Sequence, residues 1–128
     1  MAEYKADVLI IGSGPAGYTA GIYASRAGLK ALIVTGKETG GQLILSSEVD
    51  NYPGFVETLT GFELMGKMRQ QAESRGVQMQ EDIISEVDFF DHPFTCSSTA
   101  GNSYQSKAII IATGSSVNWL GLPSEQKY

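Results

Sequence analysis

Residues 6–34, ADVLIIGSGPAGYTAGIYASRAGLKALIV, set three glycines and a proline between an apolar run and an alanine-rich segment. Glycine loses more backbone entropy on ordering than any other residue, so such a cluster needs a steric reason. Ala6–Ile11 is short, apolar and rich in β-branched residues, the pattern of a parallel strand covered on both faces. Pro15 suits a first helical turn and Gly28 the end of a helix, which predicts a helix over Gly14–Ala27. Ala16, Ala20 and Ala24 recur every fourth position beside Gly17 and Gly21, so one face is nearly flush with the backbone and suited to close packing on a sheet. Lys30–Val34 reads as a second strand, and strand, helix and strand in this spacing form a βαβ unit with a right-handed crossover.

Within that unit Gly12, Gly14 and Gly17 form G-x-G-x-x-G between strand and helix, the dinucleotide fingerprint in its proper context. Gly12 permits the tight turn, Gly14 lets a pyrophosphate approach the main chain, and Gly17 lets the helix sit against the strand. Unpaired N–H groups and the positive end of the helix dipole then face the phosphates. The fingerprint usually carries an acid about twenty residues on, at the end of the second strand, for the ribose hydroxyls. Here Thr35 and Gly36 stand in that place. Glu38 can reach back from the loop, the Thr35 hydroxyl can serve, or Lys37 can favour a 2′-phosphate; a solvated turn is the plain alternative for all three. The departure weakens an NAD reading more than an FAD one.

Downstream, residues 35–55 show neither helical nor strand period and read as a long functional loop with one helical turn around Gln42–Leu45. Thr60 and Glu63 form a capping box, and Phe62, Leu64, Met65 and Met68 give an apolar stripe to a helix that Gly76 ends. Val77–Gln80 is a third strand. Ile83–Phe90, Phe94–Ser98 and Tyr104–Lys107 are short strands of a small antiparallel meander, and Ala108–Ala112 returns to the buried parallel pattern. Residues 117–128, VNWLGLPSEQKY, carry turn formers and no period. In the meander Cys96 is expected as a packing residue, and His92 as a solvated turn residue rather than a base.

The chain has 128 residues, the length of one domain, with 9 basic and 14 acidic side chains for a net charge of -5. The basic residues are scattered, so no nucleic-acid track can be drawn. No apolar run approaches the ~20 residues that span a bilayer, which excludes a membrane span and predicts a cytoplasmic protein. One cysteine and one histidine exclude a disulfide framework and a transition-metal site.

Taken together, IGSGPAGYTAGIYASRAGL, TG followed by GGQL, EVDNYPGF, IIIATGSS and WLGLPSE occur in the order and spacing of low-molecular-weight bacterial-type thioredoxin reductases, which the chain resembles throughout. The resemblance implies an α/β fold: a Rossmann-like FAD-binding domain with a parallel sheet, flanking helices and a small antiparallel β-meander over residues 1–116, with 117–128 as interdomain linker or tail. It also implies an enzyme in which NADPH reduces FAD, FAD reduces a Cys-x-x-Cys pair, and that pair reduces thioredoxin, as a homodimer. By resemblance Gly12, Ser13, Gly14, Pro15 and Ala16 hold the pyrophosphate, Gly41, Gln42 and Leu43 line the flavin and ribityl side, Asn51 bonds the isoalloxazine, and Ala112, Thr113 and Gly114 close over the cofactor. From the residues alone, Asn51 reads as a turn residue before Tyr52-Pro53-Gly54. The chain carries no Cys-x-x-Cys and no second fingerprint for NADPH. No catalytic residue is therefore assigned, NADPH is expected only in a complete enzyme, and this chain alone is expected to be inactive. The alternatives are a dithiol-free flavin reductase resembling ferredoxin-NADP reductases, and a non-catalytic nucleotide-binding module.

Overall fold

The computed structural model describes residues 1–116 and 118–126. Strands β1 (Glu3–Ile11), β2 (Ala31–Val34), β3 (Gln78–Gln80), β4 (Ile84–Asp88), β5 (Phe94–Ser98) and β6 (Ser103–Ile111) form one sheet in the order β3-β2-β1-β6-β5-β4. Helices α1 (Pro15–Arg26) and α2 (Gly61–Ser74) complete the architecture, with a short 3-10 turn at Gln42–Leu45. β1, β2, β3 and β6 run parallel, whereas β4, β5 and β6 pair antiparallel. This is the Rossmann-like arrangement the sequence predicts.

Two expectations change. Tyr104–Lys107 and Ala108–Ala112 are not separate strands but one, β6, whose whole length pairs with β1 from Glu3↔Ser103 to Ile11↔Ile111. β1 accordingly begins at Glu3, ahead of its apolar run. The end of β6 is also less covered than its composition implies, with Ile110 38% and Ile111 63% exposed. Both helices pack instead over the β1, β2 and β3 side, where Val8, Ile10, Tyr18, Ala31, Ile33, Leu64, Met65, Met68, Ala72 and Val77 form the first core.

α1 meets the sheet through Gly17, Tyr18 and Gly21; Ala16 is exposed, and Ala20 and Ala24 pack at the margin of the core. The contact is too close for alanine, since a Cβ on Gly17 would lie 2.1 Å from the Gly12 carbonyl oxygen. On α2 the capping box is complete, the Thr60 hydroxyl accepting from the Glu63 N–H at 3.1 Å and the Glu63 carboxylate from the Thr60 N–H at 3.0 Å. A second core joins Leu9, Leu32 and Val34 to Cys96 and Tyr104 of the meander, with Tyr4 stacked on Tyr104 at 5.0 Å. Cys96 is a packing residue there, and burial pushes its thiol pKa up. His92 lies exposed in a turn, its Nε2 2.8 Å from the Lys107 carbonyl oxygen. No helix among the described residues is long and apolar enough to cross a membrane.

Candidate functional site

The carboxyl ends of β1, β2 and β6 converge on the glycine cluster, where an open α/β sheet places its ligands. Gly12 turns the chain at φ +115° while its N–H donates to the Val34 carbonyl at 2.9 Å. On its other side Ala112 donates to the Ile11 carbonyl at 2.8 Å, and a Cβ on Gly12 would lie 2.0 Å from the Ala112 carbonyl oxygen and 3.2 Å from Thr113 Cα. Gly12 and Gly17 are thus required by the protein's own packing.

Gly14 is different. It is the N-cap of α1 with Pro15 behind it, at φ −81° and ψ −169°, an extended conformation open to any residue. A Cβ there would find nothing nearer than Gly41 Cα at 4.0 Å. Gly41 stands across from it at φ +66°, where a Cβ would lie 3.3 Å from Gly14 Cα. Among the described residues the N–H groups of Ser13, Gly14, Ala16 and Gly17 donate to no acceptor. A bare backbone that no internal contact demands, in front of unpaired donors at the positive end of a helix, is an anion cradle that a side chain would fill.

Around this cradle, Ser13 is 2% exposed; its hydroxyl donates to the Thr35 carbonyl at 2.8 Å and accepts from the Gly40 N–H at 3.2 Å. The side chain therefore ties the loop to the turn, leaving only its main chain for a ligand. Thr35 does not present its hydroxyl as expected for ribose: the residue is 2% exposed, with that hydroxyl 3.4 Å from the Gly36 carbonyl oxygen. It continues β2 alongside β3, its N–H donating to the Gln80 carbonyl at 2.9 Å. Glu38 is exposed and accepts from Gln42 Nε2 at 3.2 Å, which holds the carboxylate beside Gly41. Leu43 packs on the first core. Thr113 is exposed, and Gly114 follows at φ +72°.

Asn51 stands apart. It lies exposed on the excursion between Val49 and Leu59, whose main chains pair at 2.6 and 3.1 Å, and it makes no hydrogen bond to the glycine cluster. The long loop is nonetheless held by the protein itself. Besides the Ser13 tie, the Gly61 N–H donates to the Ser46 carbonyl at 2.8 Å, and a Cβ on Gly61 would lie 1.6 Å from the Leu43 carbonyl oxygen.

One supporting group has no signal in the sequence. Asp82, 7% exposed at the corner between β3 and β4, accepts from Tyr104 Oη at 2.7 Å, Asn102 Nδ2 at 2.9 Å and the Ile83 N–H at 2.8 Å, while its carbonyl takes the Gly36 N–H at 2.9 Å. Burial alone would raise its pKa, but hydrogen bonds from Ser98, Tyr104, Asn102 and Ile83 outweigh that and hold it at about 2. Tyr104 is pushed upward by its own burial and by Asp82. Because the folded-state pKa lies below the ordinary 3.8, the stabilisation is complete above pH 4 and is lost as pH falls toward 2. Asp82→Asn should lower stability at pH 7 by about 1–2 kcal/mol, allowing for solvent screening, and flatten its acid dependence. Urea midpoints between pH 7 and 2.5 measure this; an unchanged acid slope would contradict it.

The family model described as pyridine nucleotide-disulphide oxidoreductase matches residues 6–128. The chain is 48% identical over 121 residues to a thioredoxin reductase of Rickettsia conorii, across 94% of this chain and 39% of that protein. It is 50% identical over 129 residues to a glucosaminate ammonia-lyase of Pseudomonas fluorescens, across 100% of this chain and 40% of that protein. Among solved structures, a thioredoxin reductase from Giardia duodenalis matches with a TM-score of 0.87 and 34% identity, across 98% of this chain and 40% of the other. The chain thus spans 39–40% of the length of these curated relatives.

Proposed function

This chain belongs to the pyridine nucleotide-disulphide oxidoreductase family, and on that premise we propose that it is the FAD-holding part of an NADPH-dependent thioredoxin-disulfide reductase. The observation that carries the reading is Gly14, whose missing side chain serves no internal contact and leaves open ground before four unpaired N–H groups. Residues Gly12–Gly17 would hold the pyrophosphate, Glu38 would take the ribose hydroxyls, and Gly41, Gln42 and Leu43 would line the ribityl side. Ala112, Thr113 and Gly114 would close the other wall, and Asn51 would approach the flavin edge from its loop. When bound, FAD supplies the acceptor for a nicotinamide hydride and the donor to a dithiol. The chain's own part is to bind and orient it: the main-chain donors neutralise the phosphates, and the Ser13 tie keeps the Gly40–Gln42 turn in place.

The likeness to thioredoxin reductases also supports thioredoxin as the redox partner, a homodimer as the assembly and the cytoplasm as the setting. Residues 1–116 make up the FAD-binding unit in this reading and 117–128 a linker. Within that linker Val117, Lys127 and Tyr128 lie outside the described residues. Its described part is closed by the Glu125 carboxylate, which accepts the N–H groups of Leu120, Gly121 and Leu122 at 2.6, 2.8 and 3.0 Å. A relative named as a lyase matches the chain as extensively as one named as a reductase. That supports a second reading in which this segment is a nucleotide-holding platform and the chemistry is decided by other residues.

Reconstitution tests both. The purified chain, incubated with FAD and gel-filtered, should retain about one flavin per chain with oxidised-flavin absorbance; a colourless protein that retains only adenine nucleotide would favour the platform. Thioredoxin-coupled disulfide reduction with this chain, NADPH and FAD should not exceed the free-flavin background. Disulfide exchange needs an attacking thiolate and a resolving cysteine, and the one cysteine, Cys96, is 3% exposed. Cys96→Ser should leave that background rate unchanged; turnover lost in this variant would refute the packing role.

A further inference from the structure

At the far ends of α1 and α2 from the glycine cluster, a cleft of about 410 Å³ is lined by Ile22, Ser25, Arg26, Gln71 and Arg75. It is a defined joint between the helices, because the Ser25 hydroxyl donates to the Arg75 carbonyl and fixes one helix end against the other. Gly21 brings α1 so close that a Cβ there would lie 3.0 Å from Ile33 Cδ1 and 3.2 Å from Val77 Cγ1. Both guanidinium groups stand at helix C-termini, Arg26 in the last turn of α1 and Arg75 as the C-cap of α2, where each offsets part of the helix dipole. Among the described residues Arg69 pairs with Glu73 and Glu81, and Lys107 with Asp7, but neither Arg26 nor Arg75 has a carboxylate within 4.0 Å. Two arginines without a carboxylate partner thus line one cleft. We propose that this cleft is an anion site for a phosphate-bearing small molecule, held between the forks of Arg26 and Arg75.

The chemistry supports that ligand class. A guanidinium presents its donors in a planar fork that matches phosphate oxygens two at a time, and the Gln71 amide adds neutral donors. The volume lies within the range of small-molecule sites and exceeds what one phosphate needs, and Ile22 gives an apolar surface for whatever carries the phosphate. α1 has 12 residues, or about 18 Å of helix, so the cleft is separate from the cradle at Gly14 and independent of whether FAD fills that cradle.

The test is ¹⁵N-labelled chain, saturated with FAD where it binds, titrated with inorganic phosphate and with pyrophosphate at constant ionic strength held by sodium chloride. Saturable shifts should appear at the amides of Ile22, Ser25, Gln71 and Arg75, and persist in Gly14→Val, whose cradle is blocked. Arg26→Gln and Arg75→Gln should each weaken binding about tenfold or more, as loss of a charge-assisted hydrogen bond implies. Arg75→Lys, which keeps charge and lacks the fork, should also bind more weakly and covers the case in which the glutamine variant misfolds. Shifts that chloride reproduces, that survive both glutamine substitutions, or that only an oligoglutamate peptide elicits would overturn the proposal. The arginines would then serve the helix ends or a protein partner.

Discussion

Gly14→Val is expected to leave the fold standing and strip the chain of FAD. The extended backbone at this position accepts a β-branched residue, and the added Cβ has its nearest neighbour, Gly41 Cα, at 4.0 Å. Exchanging a glycine N-cap for valine should cost on the order of 1 kcal/mol of stability. The isopropyl group, however, takes the ground before the α1 N–H groups. Losing two charge-assisted hydrogen bonds at about 1.5–3 kcal/mol each lowers affinity by roughly two to four orders of magnitude. Flavin absorbance after gel filtration reads the first effect and the urea midpoint the second. Stoichiometric flavin in the variant would move the site elsewhere, and an unfolded variant would show that Gly14 serves the fold.

Gly12→Ala should do the reverse and cost the fold itself. Its φ of +115° is strained for any residue with a Cβ, and that Cβ would lie 2.0 Å from the Ala112 carbonyl oxygen. Backbone cannot swing aside as a side chain can, so the ends of β1 and β6 must part. The expected loss is on the order of 3 kcal/mol or more, a large share of the roughly 5–15 kcal/mol that holds a domain together. Gly61→Ala, with its Cβ 1.6 Å from the Leu43 carbonyl oxygen, should be comparably damaging although it is far from the fingerprint. Thermal unfolding by circular dichroism compares these with Gly14→Val. A wild-type midpoint in Gly12→Ala would mean that Ala112 does not press on the turn.

What was legible from the residues was local. The Gly12–Gly17 spacing, Pro15, the Thr60–Glu63 box and the turn at Gln42–Leu45 are short-range signals, and each appears where its chemistry predicts. What escaped depends on partners distant in the chain. Nothing in SYQSKAIII says that its first half pairs antiparallel with β5 while its whole length runs parallel to β1. The alanines of α1 match a packing face by period, yet the closest approaches fall at Gly17, against the Gly12 carbonyl, and at Gly21, against Ile33 and Val77. Thr35 looked available for ribose because it follows a strand; its burial comes from β3, some 45 residues later. Asp82 gives no periodic sign at all, since its partners Asn102 and Tyr104 are about 20 residues away.

The pairing of β1 with β6 also sets a timetable. Glu3 and Ser103 are partners separated by 100 positions, so β1 leaves a ribosome long before the strand that covers its second edge. At about 5–20 residues per second, β1 waits about 5–20 s with only β2 beside it, one edge unpaired and its apolar run Val8–Ile11 half covered. An exposed strand edge recruits other strands, and contacts this remote in sequence form slowly. A nascent chain halted before Ser103 therefore carries an open template in its middle. Aggregation during synthesis should concentrate in that interval and subside once Ile111 has emerged.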